Sequence, residues 1–400
     1  MEQSSGNYNP VGISTFDVIV VGGGPVGLAA ACAARGLSVA LVANERRAPA
    51  AARSGALDAR VYALSPGNVS FLRDLRAWQA LPEDRLTPVH AMRVFGDREG
   101  AEISFDAYRA GVPELAWTIE DSVLQEALWR ALDGRENVAV FAPAECENLG
   151  FDSKGAALKL RDGRELTSAL VVGADGARSF VREQAGIESV ARDYGQSALV
   201  ANLECEKPHS NTALQWFQGG PVLALLPLPG RRVSMIWSLP EAEAERIIRL
   251  KSRALCRAVE AVAGQALGAL SLVTPARSYP LRRLSARRMV APRVALAGDA
   301  AHVIHPLAGQ GLNLGLQDAR SLGSILAARE LVRDAGDPRL LRRYERSRAE
   351  AILLMDALVN GLFRLFGAGG GPAARLRNAG LNLTDRMPVL KNVLMRQAMN

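Results

Sequence analysis

The chain has 400 residues, enough for two or more lobes around a sizeable core, and its 48% hydrophobic and 22% charged residues are typical of a globular protein. Its 48 Lys and Arg residues outnumber 41 Asp and Glu residues, a mild excess that suits an anionic cofactor or an acidic membrane surface. The basic residues form no block interleaved with aromatic residues, which disfavours nucleic acid as a partner.

The four cysteines, Cys32, Cys146, Cys205 and Cys256, lie far apart and form no CxxC pair. This spacing argues against a zinc site or a disulfide framework and fits the reducing cytoplasm. Residues 1–15 lack the basic-then-apolar layout of a signal peptide, and no apolar run approaches the roughly 20 residues of a membrane span. We therefore expect a cytoplasmic location and no bound metal.

A dinucleotide-binding pattern opens the chain. Residues 16–21 (FDVIVV) predict a strand, Gly22-Gly-Gly24-Pro-Val-Gly27 follows at once, and a predicted helix then leads to a second strand over residues 37–42. In this context GxGxxG indicates a site for an ADP-containing dinucleotide. Gly22 permits the tight turn, Gly24 lets the backbone approach a pyrophosphate, and Gly27 lets the helix pack close to the strand.

The same pattern calls for an acidic residue at the end of the second strand, where it would hold the adenosine ribose. Ala43 stands there and cannot do this. Glu45, two residues later, is the best substitute. The alternative for Glu45 is a solvated loop carboxylate beside Arg46 and Arg47.

Helix and strand patterns alternate through the middle of the chain. The predicted elements are a helix over residues 60–75 that is interrupted near Pro66-Gly67, a helix over 120–132, sheet over 89–105, and strands over 138–141 and 157–160. Asp162-Gly163 predicts a hairpin turn into the next strand. That strand ends at Asp175-Gly176, after which Arg178-Ser179 opens a helix.

Four strand patterns follow within residues 198–239, separated by turns at Gly219-Gly220 and Pro229-Gly230, and they predict a mostly antiparallel sheet. An amphipathic helix is predicted over residues 241–263. Two terminal helices are predicted over residues 340–366 and 371–399.

The most informative stretch is residues 298–318, GDAAHVIHPLAGQGLNLGLQD. A strand pattern leads into Gly298-Asp299, and a loop with His302, His305 and Pro306 precedes a Gly-rich helix start. Such a junction presents N–H groups and the positive end of a helix dipole to whatever lies in front of it. An ordinary turn between strand and helix is the alternative.

Three junctions in this order, GxGxxG, then Asp175-Gly176 with Arg178-Ser179, then Gly298-Asp299, resemble those of the single-component FAD-dependent aromatic hydroxylases. Within that group HPLAGQGLNLGLQD is similar to the signature of the ubiquinone-biosynthesis flavin hydroxylases. Asp58-Ala-Arg60-Val-Tyr-Ala-Leu, the helix with Gln125, and Tyr279-Pro-Leu281 also fit, so the resemblance covers most of the chain.

The resemblance implies an α/β fold: a Rossmann-like FAD-binding domain with an inserted, mostly antiparallel β-sheet substrate domain and C-terminal helices. The FAD-binding domain would comprise residues 1–88, 111–190 and 281–335, the substrate domain residues 89–110 and 191–280, and the helical region residues 336–400.

The resemblance also implies one FAD held by all three junctions. The implied contacts are Gly22, Gly24 and Gly27 at the pyrophosphate, Arg60 and Gln125 beside the cofactor, Asp175 and Arg178 in the DG motif, Asp299 at the ribityl chain, and Gly309, Gly311, Leu312 and Asn313 at the flavin pyrimidine edge, with Glu45 as the substitute at the ribose. Arg178 is associated in the family with NAD(P)H as well. The family normally has Glu at the position of Ala43.

The implied activity is hydroxylation of the aromatic ring of a polyprenylated phenol in ubiquinone biosynthesis, with NAD(P)H as electron donor and O2 as oxidant. Oxygen would come from a flavin C4a-hydroperoxide, so the cofactor rather than a side-chain pair performs the oxidation. His302 and His305 could relay protons or could shape the loop, and Pro306 would position backbone.

A polyprenyl tail would require a long apolar channel. Candidates for its lining, with ordinary sheet core as the alternative, are Trp216, Phe217, Leu223, Leu225, Leu226, Met235 and Trp237. The terminal helices could rest on the inner face of the cell membrane or pack on the main body or a partner subunit. Other quinone-biosynthesis proteins are possible partners.

Two other functions fit the same residues. The first is FAD-dependent hydroxylation of a soluble aromatic compound. The second is a non-hydroxylating flavoprotein or a scaffold of a quinone-biosynthesis complex, which the Ala43 departure keeps open.

Overall fold

The computed structural model describes residues 13–46, 57–96, 101–305 and 310–367. The strands in these ranges are β1 (Ile13–Val21), β2 (Val39–Val42), β3 (Val61–Leu64), β4 (Thr87–Val89), β5 (Ala91–Phe95), β6 (Glu102–Asp106), β7 (Ala116–Glu120), β8 (Val138–Phe141), β9 (Cys146–Phe151), β10 (Ala156–Leu160), β11 (Glu165–Gly173), β12 (Ser189–Cys205), β13 (Thr212–Phe217), β14 (Val222–Leu228), β15 (Arg232–Pro240), β16 (Leu270–Leu272), β17 (Arg277–Ala286), β18 (Val290–Ala291), β19 (Val294–Leu296) and β20 (His302–Val303).

The helices of the same ranges are α1 (Pro25–Ala33), α2 (Pro66–Asp74), α3 (Ala107–Ala110), α4 (Asp121–Leu132), α5 (Phe180–Gln184), α6 (Glu241–Ile248), α7 (Ser252–Ala263), α8 (Gly311–Ala327) and α9 (Pro338–Gly367). Short 3₁₀ turns lie at Trp78–Ala80, Glu83–Arg85 and Gly298–Ala300. No helix in the described ranges combines the length and apolar composition that a membrane crossing requires.

An eight-stranded sheet forms the predicted dinucleotide-binding part of the fold, with β1 near its centre. Its strands follow the order β18-β19-β11-β1-β2-β8, while β10 pairs with β11 and β9 with β10. The run from β19 to β8 is parallel throughout. Parallel strands are covered on both faces, which is why all four residues of β2 are buried. Helix α1 packs against α8 and α4.

A nine-stranded sheet follows the order β20-β17-β12-β15-β14-β13-β5-β6, with β16 beside β12. It confirms the antiparallel sheet predicted for residues 198–239, apart from the parallel pairing of β13 with β5. One face is buried under α6 and α7, where Trp237 of the sheet, Ile247 and Val259 share one apolar core. The other face looks toward the first sheet. The division into numbered domain segments stays a prediction.

Two helix predictions are wrong in detail. The part of the 60–75 prediction that precedes the interruption is not helical, because Val61–Leu64 is β3, which pairs with β7, and the helix begins only at Pro66. The Ser65 hydroxyl caps that helix by accepting from the Asn68 amide at 3.4 Å. Residues 241–263 form two helices, α6 and α7, because the chain turns at residues 249–251 and both helices then bury an apolar side on the sheet. The predicted helix over 371–399 lies outside the described residues.

Candidate active site

A cavity of about 680 Å³ lies at the carboxyl ends of β1, β2, β11 and β19. Its opposite wall comes from the nine-stranded sheet, through Ala198, Val200, Ile236, Tyr279 and Leu281. Ligands of open α/β sheets bind outside the carboxyl ends of the parallel strands. The cavity volume is also in the range of cofactor and small-molecule sites. The predicted junctions therefore meet at one binding site.

The glycines of the first junction have different physical roles. Gly22 has φ +128°, and a Cβ there would lie 2.2 Å from the Ala174 carbonyl oxygen. A Cβ on Gly27 would lie 2.0 Å from the Gly22 oxygen, so both positions exclude a side chain for reasons of packing. Gly24 lines the cavity, and a Cβ there would meet nothing within 4 Å. The space in front of Gly24 is thus available to a ligand at the start of α1.

The end of β2 lacks the acidic side chain but reaches the cavity. Ala43 is 3% exposed and lines the cavity together with Asn44 and Glu45. A Cβ on Gly23 would lie 2.8 Å from the Ala43 Cβ and 3.6 Å from the Trp129 ring, so this corner is tightly packed. Glu45 is exposed, which leaves its carboxylate accessible to a ribose.

A hydrogen-bonded group on α4 and β3 forms another part of the lining. The Asp121 carboxylate accepts from the Tyr62 hydroxyl at 3.2 Å and from Gln125 Nε2 at 2.7 Å. Arg60 lies over the Tyr62 ring, 5.4 Å from its centroid. Burial opposes the charge of Arg60, yet Tyr62, Asp121 and Asp299 raise its pKa. Burial raises the pKa of Tyr62, with Asp121 adding to it, so the hydroxyl stays protonated.

The sequence pointed to Arg60 and Gln125 but missed Tyr62 and Asp121. Asp121 stands four residues before Gln125 on α4, a spacing that places two side chains on one helix face. That signal was available. Tyr62 could not be placed, because the residues around it were predicted as helix rather than as the strand that turns this side chain toward Asp121.

The third junction is held by buried charge. Asp318, which is fully buried, accepts from the Gly298 amide at 2.9 Å, from His302 Nε2 at 2.7 Å and from Arg348 Nε at 2.6 Å. Burial would raise the pKa of Asp318, but His302 and Arg348 outweigh it and lower this pKa. The cluster fixes the turn that carries Asp299. His302 thus contributes a buried hydrogen bond that holds the turn.

Asp299 lines the cavity and is accessible from it, although protein surrounds the side chain. This burial raises the pKa of Asp299, while Arg60 and His302 oppose the rise. A carboxylate whose charge the surrounding protein disfavours gains when a ligand hydroxyl donates to it. Its position therefore suits a polyol such as the ribityl chain.

The start of α8 contributes Gly311 and Leu312 to the cavity. Asn313 does not line it, since its side chain is buried and binds elsewhere: Oδ1 accepts from the Ser65 amide at 2.9 Å and Nδ2 donates to the Ala63 carbonyl at 2.8 Å. Asn313 therefore fastens α8 to β3, and any contact with a cofactor would have to come from its backbone. Gly309 and Pro306 lie outside the described residues.

Three other predicted residues are placed as follows. Asp175 lines the cavity and its Oδ2 accepts from the Val181 amide at 3.0 Å; burial raises its pKa. Arg178 is exposed and lies outside the cavity lining. His305 is 1% exposed, with Nε2 at 3.3 Å from Gln196 Oε1, and burial lowers its pKa to about 4. The roles assigned to these residues stay predictions.

The lining fits an FAD. Gly24 and Gly311 leave open space at two helix N-termini, which suits anionic groups of the cofactor. Arg60 supplies a cation and Asp299 an acceptor for hydroxyl groups. The exception is the position of the acidic residue that usually binds the ribose, because the Ala43 side chain has no hydrogen-bonding atom.

The comparisons with known proteins agree with this site. The family described as FAD binding domain matches residues 15–355. The chain is 36% identical over 386 residues to the ubiquinone hydroxylase UbiL of Rhodospirillum rubrum, covering 96% of this chain and 89% of that protein. It is 34% identical over 388 residues to the 3-demethoxyubiquinol 3-hydroxylase of Escherichia coli, covering 96% and 98%. The fold is similar to the crystal structure of p-nitrophenol 4-monooxygenase PnpA from Pseudomonas putida, with a TM-score of 0.76 at 18% identity over 97% of this chain and 99% of that one.

A parallel dinucleotide-binding sheet whose cavity is closed by a large antiparallel sheet defines the class of FAD-dependent monooxygenases. The chain belongs to the ubiquinone-biosynthesis flavin hydroxylase family and is an FAD-dependent aromatic-ring monooxygenase. NAD(P)H is the reductant typical of this family. The family, the fold class and the cofactor predicted from the sequence are thereby confirmed.

Proposed function

We propose that the protein hydroxylates the aromatic ring of a polyprenylated phenol on the route to ubiquinone, with NAD(P)H as reductant and O2 as oxidant. Two relatives that match nearly the full chain are named for hydroxylation in ubiquinone formation. The observation that carries the proposal is the wall opposite the FAD-binding residues. Its described lining offers apolar surface and one hydroxyl, from Ala198, Val200, Ile236, Tyr279, Leu281 and Val303.

This wall also separates the proposal from hydroxylation of a soluble aromatic acid. A substrate carboxylate facing the sheet would need a cation, because an unpaired buried charge is strongly disfavoured. None of the six residues that the described part of the sheet contributes to the cavity is charged. A neutral phenol with an apolar substituent suits this surface better.

FAD, when bound, supplies acceptance of the hydride and activation of O2. The chain's own residues bind and orient. The N–H groups at the start of α1 and Arg60 would hold the pyrophosphate, and Asp299 would accept from the ribityl chain. The start of α8 would place N–H groups where negative charge develops on reduction. The apolar sheet wall excludes water from the reacting ring.

A proton relay through His305 belongs to the same proposal. Because burial lowers its pKa to about 4, the imidazole is neutral near neutral pH and can both accept and donate a proton. His305 contacts Tyr194 edge to face, with ring centroids 4.7 Å apart, and neither residue is part of the cavity lining. A relay would therefore need an intermediate group, such as a water molecule, between the ring and the substrate.

We further propose that the protein works on the inner face of the cell membrane, with other quinone-biosynthesis proteins as partners. Support comes from α9, where Leu353 is 69% and Leu354 is 42% exposed. Exposed Arg343 and Arg346 stand at helical spacing on the same side. Sedimentation with anionic and neutral lipid vesicles tests this: the wild type should bind the anionic vesicles, and Leu353→Asp should weaken binding.

Quinone profiling of a deletion strain by mass spectrometry tests the main proposal. We expect an under-hydroxylated polyprenyl phenol to accumulate and the wild-type gene to restore the hydroxylated product. Assays of the FAD-loaded protein with labelled O2 should place the label in the ring. An unchanged quinone profile in a strain without a second hydroxylase would contradict the proposal, as would NAD(P)H oxidation without ring labelling.

A further inference from the structure

Four apolar side chains on the nine-stranded sheet are not packed into an apolar core. Val200 and Ile236 line the cavity, and Ala224 and Leu226 lie beyond them on β14. All four are half-buried. They belong to none of the three apolar core clusters of the described residues, although other side chains of the same strands do. Half-buried apolar surface that leads out of a cavity is available to an apolar ligand.

The register places these side chains on one face of the sheet. Val200 pairs with Ile236, Ile236 with Ala224, and Leu226 is the next residue of β14 on the same face. Farther along, Ala213 pairs with Met92, which pairs with Phe105, and these two side chains are also half-buried. We call the six half-buried residues the tail strip: Val200, Ile236, Ala224, Leu226, Met92 and Phe105. From β12 to β5 the strip crosses four strand spacings, or about 19 Å.

The opposite face of the sheet cannot bind an apolar ligand, because it packs against α6 and α7. Leu223, Leu225, Met235 and Trp237, which the sequence offered as channel candidates, belong to the core under α6 and α7. Because successive residues of a strand point to opposite faces, their neighbours Ala224, Leu226 and Ile236 face the cavity side instead. The channel predicted from those four residues is therefore on the wrong face.

Two elements border the tail strip. Met355 of α9 packs on the small cluster of Val94, Ile103, Phe217 and Val222, to which Met92 and Phe105 also contribute. On the other side, the Thr118 hydroxyl of β7 donates to the Pro227 carbonyl of β14 at 2.5 Å. The strip thus runs between the terminal helix and the small β3-β7-β4 sheet.

We infer that the tail strip binds the apolar tail of the substrate while the ring lies in the cavity. This inference rests on the proposed function and adds to it the place where the tail lies. A polyisoprenoid chain is uncharged and flexible, and it gains free energy from each buried methylene group. An apolar floor that begins at the cavity wall offers that burial without a new polar partner.

The test compares a phenol bearing a long polyprenyl tail with the same phenol bearing a single prenyl group. Ala224→Phe fills the strip, and we expect it to lower the ratio of kcat/KM for the long-tailed over the short-tailed substrate by about tenfold. Leu226→Gln makes the floor polar without filling it and should lower the same ratio. Titration of flavin fluorescence with the long-tailed phenol should show a matching rise in Kd.

Ala91→Phe is the matched control, because Ala91 is a half-buried alanine of β5 on the opposite face from Met92. It should leave the ratio unchanged. If both strip variants carry FAD and keep the wild-type ratio, the tail binds elsewhere, although hydroxylation of prenylated phenols still stands. If Ala224→Phe does not fold, Leu226→Gln decides alone. If the wild type hydroxylates neither phenol, the proposed function fails and the tail strip with it.

Discussion

Two of the three junctions of strand, turn and helix that face the cavity are stabilised in different ways. The junction from β1 to α1 relies on glycine: Gly22 and Gly27 touch backbone so closely that no side chain fits. The junction from β19 to α8 relies on a buried carboxylate, Asp318, which accepts three hydrogen bonds from residues of other elements. The first junction therefore depends on steric fit, and the second depends on charge and hydrogen bonding.

The two junctions also contact each other. A Cβ on Gly315 of α8 would lie 2.6 Å from Val26 of α1, and one on Gly323 would lie 2.6 Å from the Ala33 Cβ. The helices consequently meet through small residues. A substitution in either junction should therefore alter the cavity. The two junctions tolerate different kinds of substitution.

The largest effect is expected for Gly27→Val, which attacks the steric junction. Its Cβ would lie 2.0 Å from the Gly22 oxygen, a contact that backbone movement alone can relieve. We expect loss of soluble, FAD-containing protein, measured by yield and flavin absorbance. Gly24→Ala is the control, since its Cβ points into open space. It should fold normally and lose FAD affinity, and a wild-type yield for Gly27→Val would refute the steric account.

Asp318→Asn attacks the charged junction and should have the next largest effect. Removing the carboxylate leaves the buried guanidinium of Arg348 without its charge partner, which costs about 3–5 kcal/mol in comparable pairs. Urea unfolding of the apo-protein measures this loss. Ser321→Ala on the same helix removes only an exposed hydroxyl pair and should change stability by less than about 0.5 kcal/mol. A similarly small loss for Asp318→Asn would contradict the role given to the cluster.

His305 makes the second junction sensitive to pH, while the steric junction has no titrating group in its turn. Its folded pKa of about 4 lies below the unfolded value of 6.5, so its contribution to stability is present above pH 6.5 and is lost as pH falls toward 4. The slope is at most about 1.4 kcal/mol per pH unit. His305→Asn should remove this slope.

Urea unfolding of wild type and His305→Asn at several pH values between the two pKa values checks the expectation. The stability advantage of the wild type should shrink as the pH falls. An advantage that stays constant across this range would show that His305 does not titrate as its burial implies.

The smallest effect is expected for Ala43→Glu, which adds an acidic side chain to the first junction. Ala43→Glu would place a carboxylate at the cavity end of β2, where a ribose hydroxyl could donate to it. We expect FAD to bind about tenfold more tightly, measured by fluorescence titration. Ala43→Gln should gain less, and Glu45→Gln should weaken binding if Glu45 is the substitute. No gain for Ala43→Glu would show that this corner is too tightly packed against Gly23.

The sequence was sufficient where a local pattern defines the structure. GxGxxG, Asp175-Gly176 and Gly298-Asp299 each follow a buried strand, and the structure brings all three to one cavity. Parallel strands end at one edge of a sheet, so such turns meet even when they are far apart in the chain.

It was insufficient where partners come from distant elements. The link between Asp318 and Arg348 depends on how α8 and α9 pack, which spacing along the chain cannot show. The predicted channel candidates fell on both faces of the sheet for another reason. β14 reads VLALLPL and is apolar on both faces, so alternation separates two sets of side chains without showing which set faces the cavity.

The central position of β1 has a consequence for biosynthesis. The turn after β1 is synthesised early. The cavity that it faces is completed by residues synthesised much later, among them Ala174, Asp299 and Leu312. The complete FAD site therefore exists only after the ribosome has produced Gly311 and Leu312 at the start of α8. The nascent chain must therefore reach this point without the stabilisation that a bound cofactor gives, and supply of FAD can affect only the nearly complete protein.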